Sequence, residues 1–159
     1  MSTTIEPLRE ELLITRTFDA PPRLVFRAWT VPQYAMSWWG CDDFRGSHME
    51  MDVRPGGKWR CCLKSAATGE ERWMHGVYRE IKEPDRLSFT FAWELDGDWS
   101  RETVVTVDFV EEDGKTRMNF RQAPFVSTEL CDGHQIGWTS GFDRLVTQLA
   151  EVYPQLVAE

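Results

Sequence analysis

His48, His75 and His134 are the only imidazoles in the chain, and none stands at the H-x-x-x-H spacing that sets metal ligands on one face. His75 shares the parity of Trp73 and Val77 in an alternating segment, where a hydrogen-bonded structural imidazole is a better reading than a general base. His134 falls near the start of a helical segment, where the positive end of the dipole favours a neutral ring suited to act as base or acceptor. Glu50 and Asp52 lie two apart and so share a strand face. Such carboxylates can do acid/base work, but on an outward face they are solvated charges. The four cysteines, Cys41, Cys61, Cys62 and Cys131, form no C-x-x-C. The adjacent Cys61 and Cys62 point to opposite faces of a strand and so cannot chelate one metal together. All four read as reduced thiols. With no nucleophile elbow, phosphate-binding loop or dinucleotide fingerprint present, the residues assign no catalytic group, no metal and no cofactor.

The aromatic residues are more informative. Eight Trp, three Tyr and nine Phe make up 13% of the chain. Trp59, Trp73, Phe89, Phe91, Trp93, Phe109 and Phe120 take inward strand parity, and Trp138 and Phe142 lie on a helical stripe. Most of these rings are core, each stabilising by roughly 1.5–3 kcal/mol when fully buried. A few must face whatever space the fold leaves open. Trp73, His75, Phe91, Trp93, Trp138 and Gly141 are the cavity candidates, by parity, bulk and central position. The parity of residues 71–81 is open, since Met74, Gly76 and Tyr78 alternate nearly as well. Gly133, Gly137 and Gly141 recur every fourth residue in one helical row, although an interior helical Gly costs roughly 1 kcal/mol relative to Ala. Either a neighbouring segment approaches the row closely, or the row floors a ligand site.

The elements that must position these residues follow from their periodicity. Residues 12–18 form a β-branched, apolar strand that stops at Asp19-Ala20-Pro21-Pro22. Asp19 or Ala20 then caps a short helix carrying Leu24, Val25, Ala28 and Trp29, which Pro32 ends. A second short helix runs through Tyr34, Met36 and Trp38 before Gly40. From residue 46 the pattern has period two for about 75 residues, broken at Pro55-Gly56-Gly57, Thr68-Gly69 and Glu83-Pro84-Asp85. Asp96-Gly97 and Asp113-Gly114 are hairpin signals, because both residue types tolerate the positive φ of primed turns. These breaks give six strands in an antiparallel meander, and the first strand makes seven. Trp138, Phe142, Leu145, Leu149 and Val152 then form one stripe of a long helix. It is capped near Asp132 with Gln135, spans about twenty residues and ends at Pro154. A single helix about 10 Å wide cannot fill the concavity of a curved sheet, so a cavity is expected beside it.

Composition bounds the partners. The chain has 159 residues, a length that suits one domain, and a net charge of −8. The absence of a basic run disfavours nucleic acid and anionic membrane surfaces. No apolar stretch is long enough for a membrane span, and the first ten residues lack a secretory pattern, so a cytoplasmic location is expected. Residues 1–10 read as a flexible tail, 11–154 as one domain and 155–159 as a C-terminal tail.

Several segments resemble the START-like (SRPBCC, helix-grip) superfamily, in the branch similar to the C-terminal domain of the heat-shock-protein-90 ATPase activator. They are Phe18-Asp19-Ala20-Pro21-Pro22 before Val25–Trp29, Trp38-Trp39-Gly40, Pro55–Arg60, Gly76–Ile81 with Pro84–Leu87, and Gly137-Trp138 with Gly141–Leu145. They keep the family's order over residues 12 to 150. The resemblance implies an α+β helix grip: a curved seven-stranded antiparallel sheet wrapped on a long C-terminal helix, with two short helices after the first strand and an apolar cavity. Cys41 stands where the branch usually has Pro, which places a thiol near the expected cavity mouth. No catalytic triad carries over. Three functions are therefore weighed. The first is a non-enzymatic domain binding a small apolar or amphipathic molecule. The second is a stress-related protein contacting a chaperone. The third is a cavity cyclase or hydrolase using His75 or Asp52.

Overall fold

The computed structural model describes residues 10–157, with side chains through Glu151. Strand β1 covers Leu12–Phe18, and two short helices follow, α1 over Pro22–Thr30 and α2 over Pro32–Trp38. Strands β2 (Phe44–Met51), β3 (Lys58–Ser65), β4 (Glu71–Lys82), β5 (Arg86–Trp93), β6 (Thr103–Glu112) and β7 (Lys115–Ala123) come next, and helix α3 covers Thr128–Val157. The seven strands form one antiparallel sheet in the order β1-β7-β6-β5-β4-β3-β2. The later six pair in chain order, as the meander pattern requires, and β1 joins beside β7. Register shifts between Gly46 and His48 and between Tyr78 and Glu80 add local twist, and the sheet curls into a half-barrel.

Neither Asp19 nor Ala20 caps α1. Pro21 takes the cap position and Pro22 opens the first turn, where its fixed φ suits the helix and its missing N–H is not needed. Helix α3 also starts earlier than the Asp132 capping pattern suggested. Ser127 Oγ accepts the Leu130 N–H at 3.2 Å, so the cap lies five residues upstream. The helix runs on past Pro154 to Val157, because one missing N–H in a last turn removes a single bond of the ladder without stopping it. Residues 155–157 thus continue the helix. Val152 and the N-terminal residues 1–9 lie outside the described side chains.

The two Asp-Gly pairs behave differently. Asp113 and Gly114 both take positive φ, 54° and 81°, as a primed two-residue turn demands. At Asp96-Gly97 only Gly97 does so. Asp96 stays extended at φ −76°, and a short 3₁₀ turn over Gly97–Ser100 links β5 to β6 in place of a tight hairpin.

The concave face of the sheet, α1, α2 and α3 enclose the core. Trp29 of α1 sits at its centre, its ring 4.8 Å from Trp38, 5.6 Å from Trp138 and 6.3 Å from Phe120, centroid to centroid. Three buried indoles donate their N–H groups: Trp38 to Ala28 O at 3.0 Å, Trp59 to Thr90 O at 3.1 Å and Trp138 to Gln122 Oε1 at 2.8 Å. Each bond fixes a ring that would otherwise bury an unsatisfied donor. Phe142, Leu145 and Leu149 continue the α3 stripe into the core.

Candidate functional site

A cavity of about 120 Å³ opens between α2, α3 and the β3–β5 part of the sheet. Its inner wall begins where α2 ends. Trp38 and Trp39 are buried there, and Gly40 turns the chain at φ 115°, with no room for a Cβ against the Phe44 carbonyl. Arg144 of α3 holds this turn, donating from Nε to Trp38 O at 3.2 Å and from Nη2 to Gly40 O. Cys41, next in the chain, lines the opening, where its thiol pKa is pushed up by burial and then by Asp42. The strands contribute Phe44, Leu63, Arg72, Met74, Phe91 and Trp93, and Trp99 closes one end from the 3₁₀ turn.

Helix α3 forms the remaining wall with Gly133, His134, Gly137, Trp138 and Gly141. The glycines of the row differ in what surrounds them. A Cβ on Gly141 would lie 3.0 Å from Trp38 O and 3.2 Å from its ring, so there the glycine permits close packing. A Cβ on Gly137 would meet only Cys41 Cβ at 4.0 Å, and one on Gly133 only the Trp99 ring at 3.6 Å. These two keep space open.

His134 is buried and fully committed. Its Nδ1 lies 2.7 Å from Leu130 O, and its Nε2 lies 2.9 Å from the Trp93 indole nitrogen. A carbonyl only accepts and an indole N–H only donates, so the proton sits on Nδ1 and Nε2 accepts. Burial depresses the pKa and keeps the ring neutral. Rings of Phe91, Trp99 and Phe125 surround it at 5.7, 5.4 and 4.9 Å. With its lone pair engaged by Trp93, His134 holds the cavity wall in place and has no free basic nitrogen.

Of the six residues expected at the cavity, Phe91, Trp93, Trp138 and Gly141 line it, and Trp73 and His75 do not. On β4 the inward parity belongs to Met74, Gly76 and Tyr78, all buried. The reason lies in the two neighbouring strands: the Trp59 indole and the Thr90 carbonyl crowd the inner side of Gly76, leaving no space for a side chain there. A glycine inside a strand marks such an approach, and that was the available signal. Trp73 and His75 therefore lie on the outer face. The Trp73 ring packs under the Arg60 guanidinium at 4.0 Å and beside His48 at 5.5 Å. Arg60 grips Glu94 through two bonds of 2.8 and 2.9 Å, and His75 Nδ1 meets the same carboxylate at 3.0 Å. The hydrogen bonds from Arg60, then His75, hold the Glu94 pKa down at about 2. Asp52 is also away from the cavity, paired with Arg54 at 2.8 Å, and Glu50 pairs with His48 at 3.2 Å.

Trp38, Trp39, Phe44, Leu63, Met74 and Trp99 are cavity residues that periodicity did not single out. The places of Trp39 and Trp99 depend on the turn after α2 and on the 3₁₀ turn, neither of which has a repeating pattern, whereas Phe44, Leu63 and Met74 stand on strands. Among the described residues no group of three or more His, Cys, Asp or Glu is placed to hold a metal ion. Among the described residues no helix is long and apolar enough to cross a membrane. The cavity thus offers apolar and aromatic walls with few polar groups, an arrangement suited to holding a small molecule.

The same fold recurs in solved structures. A protein from Chromobacterium violaceum, 20% identical, superimposes with a TM-score of 0.78 over 87% of this chain and 96% of its own. The AHSA1 protein from Silicibacter pomeroyi is 25% identical, with a TM-score of 0.73 over 88% of this chain and 97% of its own. A protein from Rhizobium leguminosarum is 28% identical, with a TM-score of 0.73 over 89% and 94%. No curated protein matches the sequence. The family described as Activator of Hsp90 ATPase homolog 1-like protein matches residues 19–150. Together with the seven-stranded sheet gripping α3, that match makes this chain a member of the Activator of Hsp90 ATPase homolog 1-like family, within the START-like fold.

Proposed function

We propose that the protein is a non-enzymatic binding domain for a small apolar or amphipathic molecule, held in the cavity between the sheet and α3. One observation carries this reading: a cavity of about 120 Å³ walled by Trp38, Trp39, Phe91 and Trp138 and kept open by Gly133 and Gly137. Its size suits a single ring or a short chain. An engineered apolar cavity of about 150 Å³ is enough for benzene. The candidate acid/base groups His75 and Asp52 lie outside it, which favours binding over catalysis. Among the described residues no disulfide links the cysteines, which fits action in the reducing cytoplasm.

Titration of the full chain with 4-fluorotoluene, followed by ¹⁹F NMR, tests the proposal. Saturable binding that a Gly137→Leu substitution abolishes is the expected result. Absence of binding by the unsubstituted protein at millimolar probe refutes it. The family match motivates a second reading, contact with a heat-shock chaperone. A chaperone ATPase assay with added protein decides it, since no stimulation and no co-purification would remove that reading.

A further inference from the structure

The polar groups at the cavity share one chemical character. Trp39, 4% exposed, lines the cavity and keeps its indole N–H without an acceptor among the described residues. Arg72 lies at the opening with its guanidinium 4.2 Å from the Phe44 ring centroid, and Nε and Nη2 are used on Glu70 at 3.2 and 3.1 Å. Its Nη1 hydrogens are left over, since guanidinium carries five N–H donors. The one ring nitrogen that can accept, His134 Nε2, is already taken by Trp93. The side-chain donors thus outnumber the acceptors that remain free, so a ligand completes the site best by bringing an acceptor.

Charge points the same way. Although the chain carries −8, the turn at Cys41 is gripped by guanidinium groups from two elements. Arg144 of α3 bonds Trp38 O and Gly40 O and also Ser140 Oγ. Arg45 of β2 bonds the carbonyls of Asp42 and Phe44 at 2.7 and 2.8 Å. Among the described residues neither forms an ion pair with a carboxylate; both bind neutral oxygens. Arg72 and the carboxylate of Asp42 also act on the Cys41 side chain, Arg72 with its charge shared with Glu70. Asp43 is engaged elsewhere, accepting from Ser65 Oγ at 2.6 Å and from the Ala67 N–H at 2.9 Å. The guanidinium charge of Arg144 and Arg45 beside the mouth is thus left without an ion-pair partner among the described residues, while Arg72 is paired with Glu70.

We propose that the ligand is a small carboxylate, with its ring or short chain among Trp38, Phe91 and Trp138 and its carboxylate at the mouth between Arg72 and Cys41. This rests on the cavity-binding reading above and narrows it to one chemical class. Full-length protein is titrated at low ionic strength with three probes of one size, 4-fluorobenzoate, 4-fluorotoluene and 4-fluorobenzylamine, by ¹⁹F NMR. The benzoate should bind more tightly than the toluene by about two- to fivefold, the scale of one partly exposed charge contact. Its advantage should vanish at about 0.5 M salt and in Arg72→Gln, and survive in part in Arg72→Lys. Toluene affinity should fall less than benzoate affinity in both variants. Toluene binding as tightly as benzoate, or the amine binding best, overturns the carboxylate proposal and leaves cavity binding standing. Equal loss of benzoate and toluene in Arg72→Gln overturns it too, since Arg72 would then only support the wall. Failure of all three probes overturns both readings.

Discussion

Gly137 and Gly141 stand one helical turn apart in the same row of α3, and replacing each by Ala should have opposite effects. Both substitutions gain about 1 kcal/mol of helix propensity. At Gly137 the new methyl meets only Cys41 Cβ at 4.0 Å, so the gain is kept and the melting temperature should rise by about 2–4 °C. At Gly141 the methyl would lie 3.0 Å from Trp38 O, on a segment that is fully buried and tied down by Arg144 Nε at 3.2 Å. Neither the carbonyl nor the ring can give way easily. Overpacking of this kind costs about 1–3 kcal/mol, which cancels or exceeds the helix gain. Gly137→Ala should therefore be more stable than Gly141→Ala by about 1–3 kcal/mol in urea denaturation. Because the Gly137 methyl projects into open cavity, the same variant should bind 4-fluorotoluene less tightly than the unsubstituted protein while being more stable. Equal stability of the two variants, or undiminished probe binding by Gly137→Ala, would refute the assignment of close packing to one glycine and open space to the other.

Other outcomes follow from the same geometry. Gly76→Ala should cost about 3 kcal/mol or more, because a Cβ there displaces the Thr90 carbonyl and breaks its bond with Trp59; a loss below about 1 kcal/mol in chemical denaturation would contradict the crowding. Two pH windows should separate. The pKa of His134 is lowered on folding, so the unfolded chain binds its proton first, and stability should fall as pH drops through the ordinary histidine range near 6.5. The pKa of Glu94 is also lowered, to about 2, so its contribution is present above its ordinary range near 4.5 and is lost as pH falls from there towards 2. Denaturation midpoints measured against pH should lose the upper slope in His134→Gln, whereas in Glu94→Gln only the lower slope should become shallower, Asp43 and Glu80 keeping the rest. Trp99→Ala should speed release of 4-fluorotoluene in NMR line-shape analysis, since this ring closes one end of the cavity. Its stability should change by less than about 1 kcal/mol because Trp99 is 39% exposed.

Local chemistry made most of the architecture readable. Alternation from residue 46 and the Asp113-Gly114 turn define strands without reference to anything distant, and the Trp138, Phe142, Leu145 stripe defines a helix face. What failed depended on partners far away in the chain. Trp73 and Met74 have equal claims to the inner side of β4 until Trp59 is placed against Gly76, a contact across the neighbouring strand. Asp96-Gly97 carries the same letters as Asp113-Gly114, yet Trp99 packs on His134 of α3 at 5.4 Å, and the chain there takes a 3₁₀ turn. The helical position of His134 pointed to a neutral ring able to accept, but its partner Trp93, forty-one residues earlier, left no pattern. The glycine row signalled a cavity wall, but only the position of Trp38 separates Gly141, which serves packing, from Gly137, which serves space.

The central claim is that the cavity between α3 and the sheet is the binding site, and the chain's eight tryptophans report on it directly. In a ¹H–¹⁵N spectrum of the indole N–H groups, added 4-fluorotoluene should shift the signals of Trp39, Trp93, Trp99 and Trp138, which line the cavity, in a saturable manner. Trp73, on the outer face under Arg60, should stay fixed. A spectrum in which Trp73 moves while the cavity indoles do not, or in which none moves, would contradict the account.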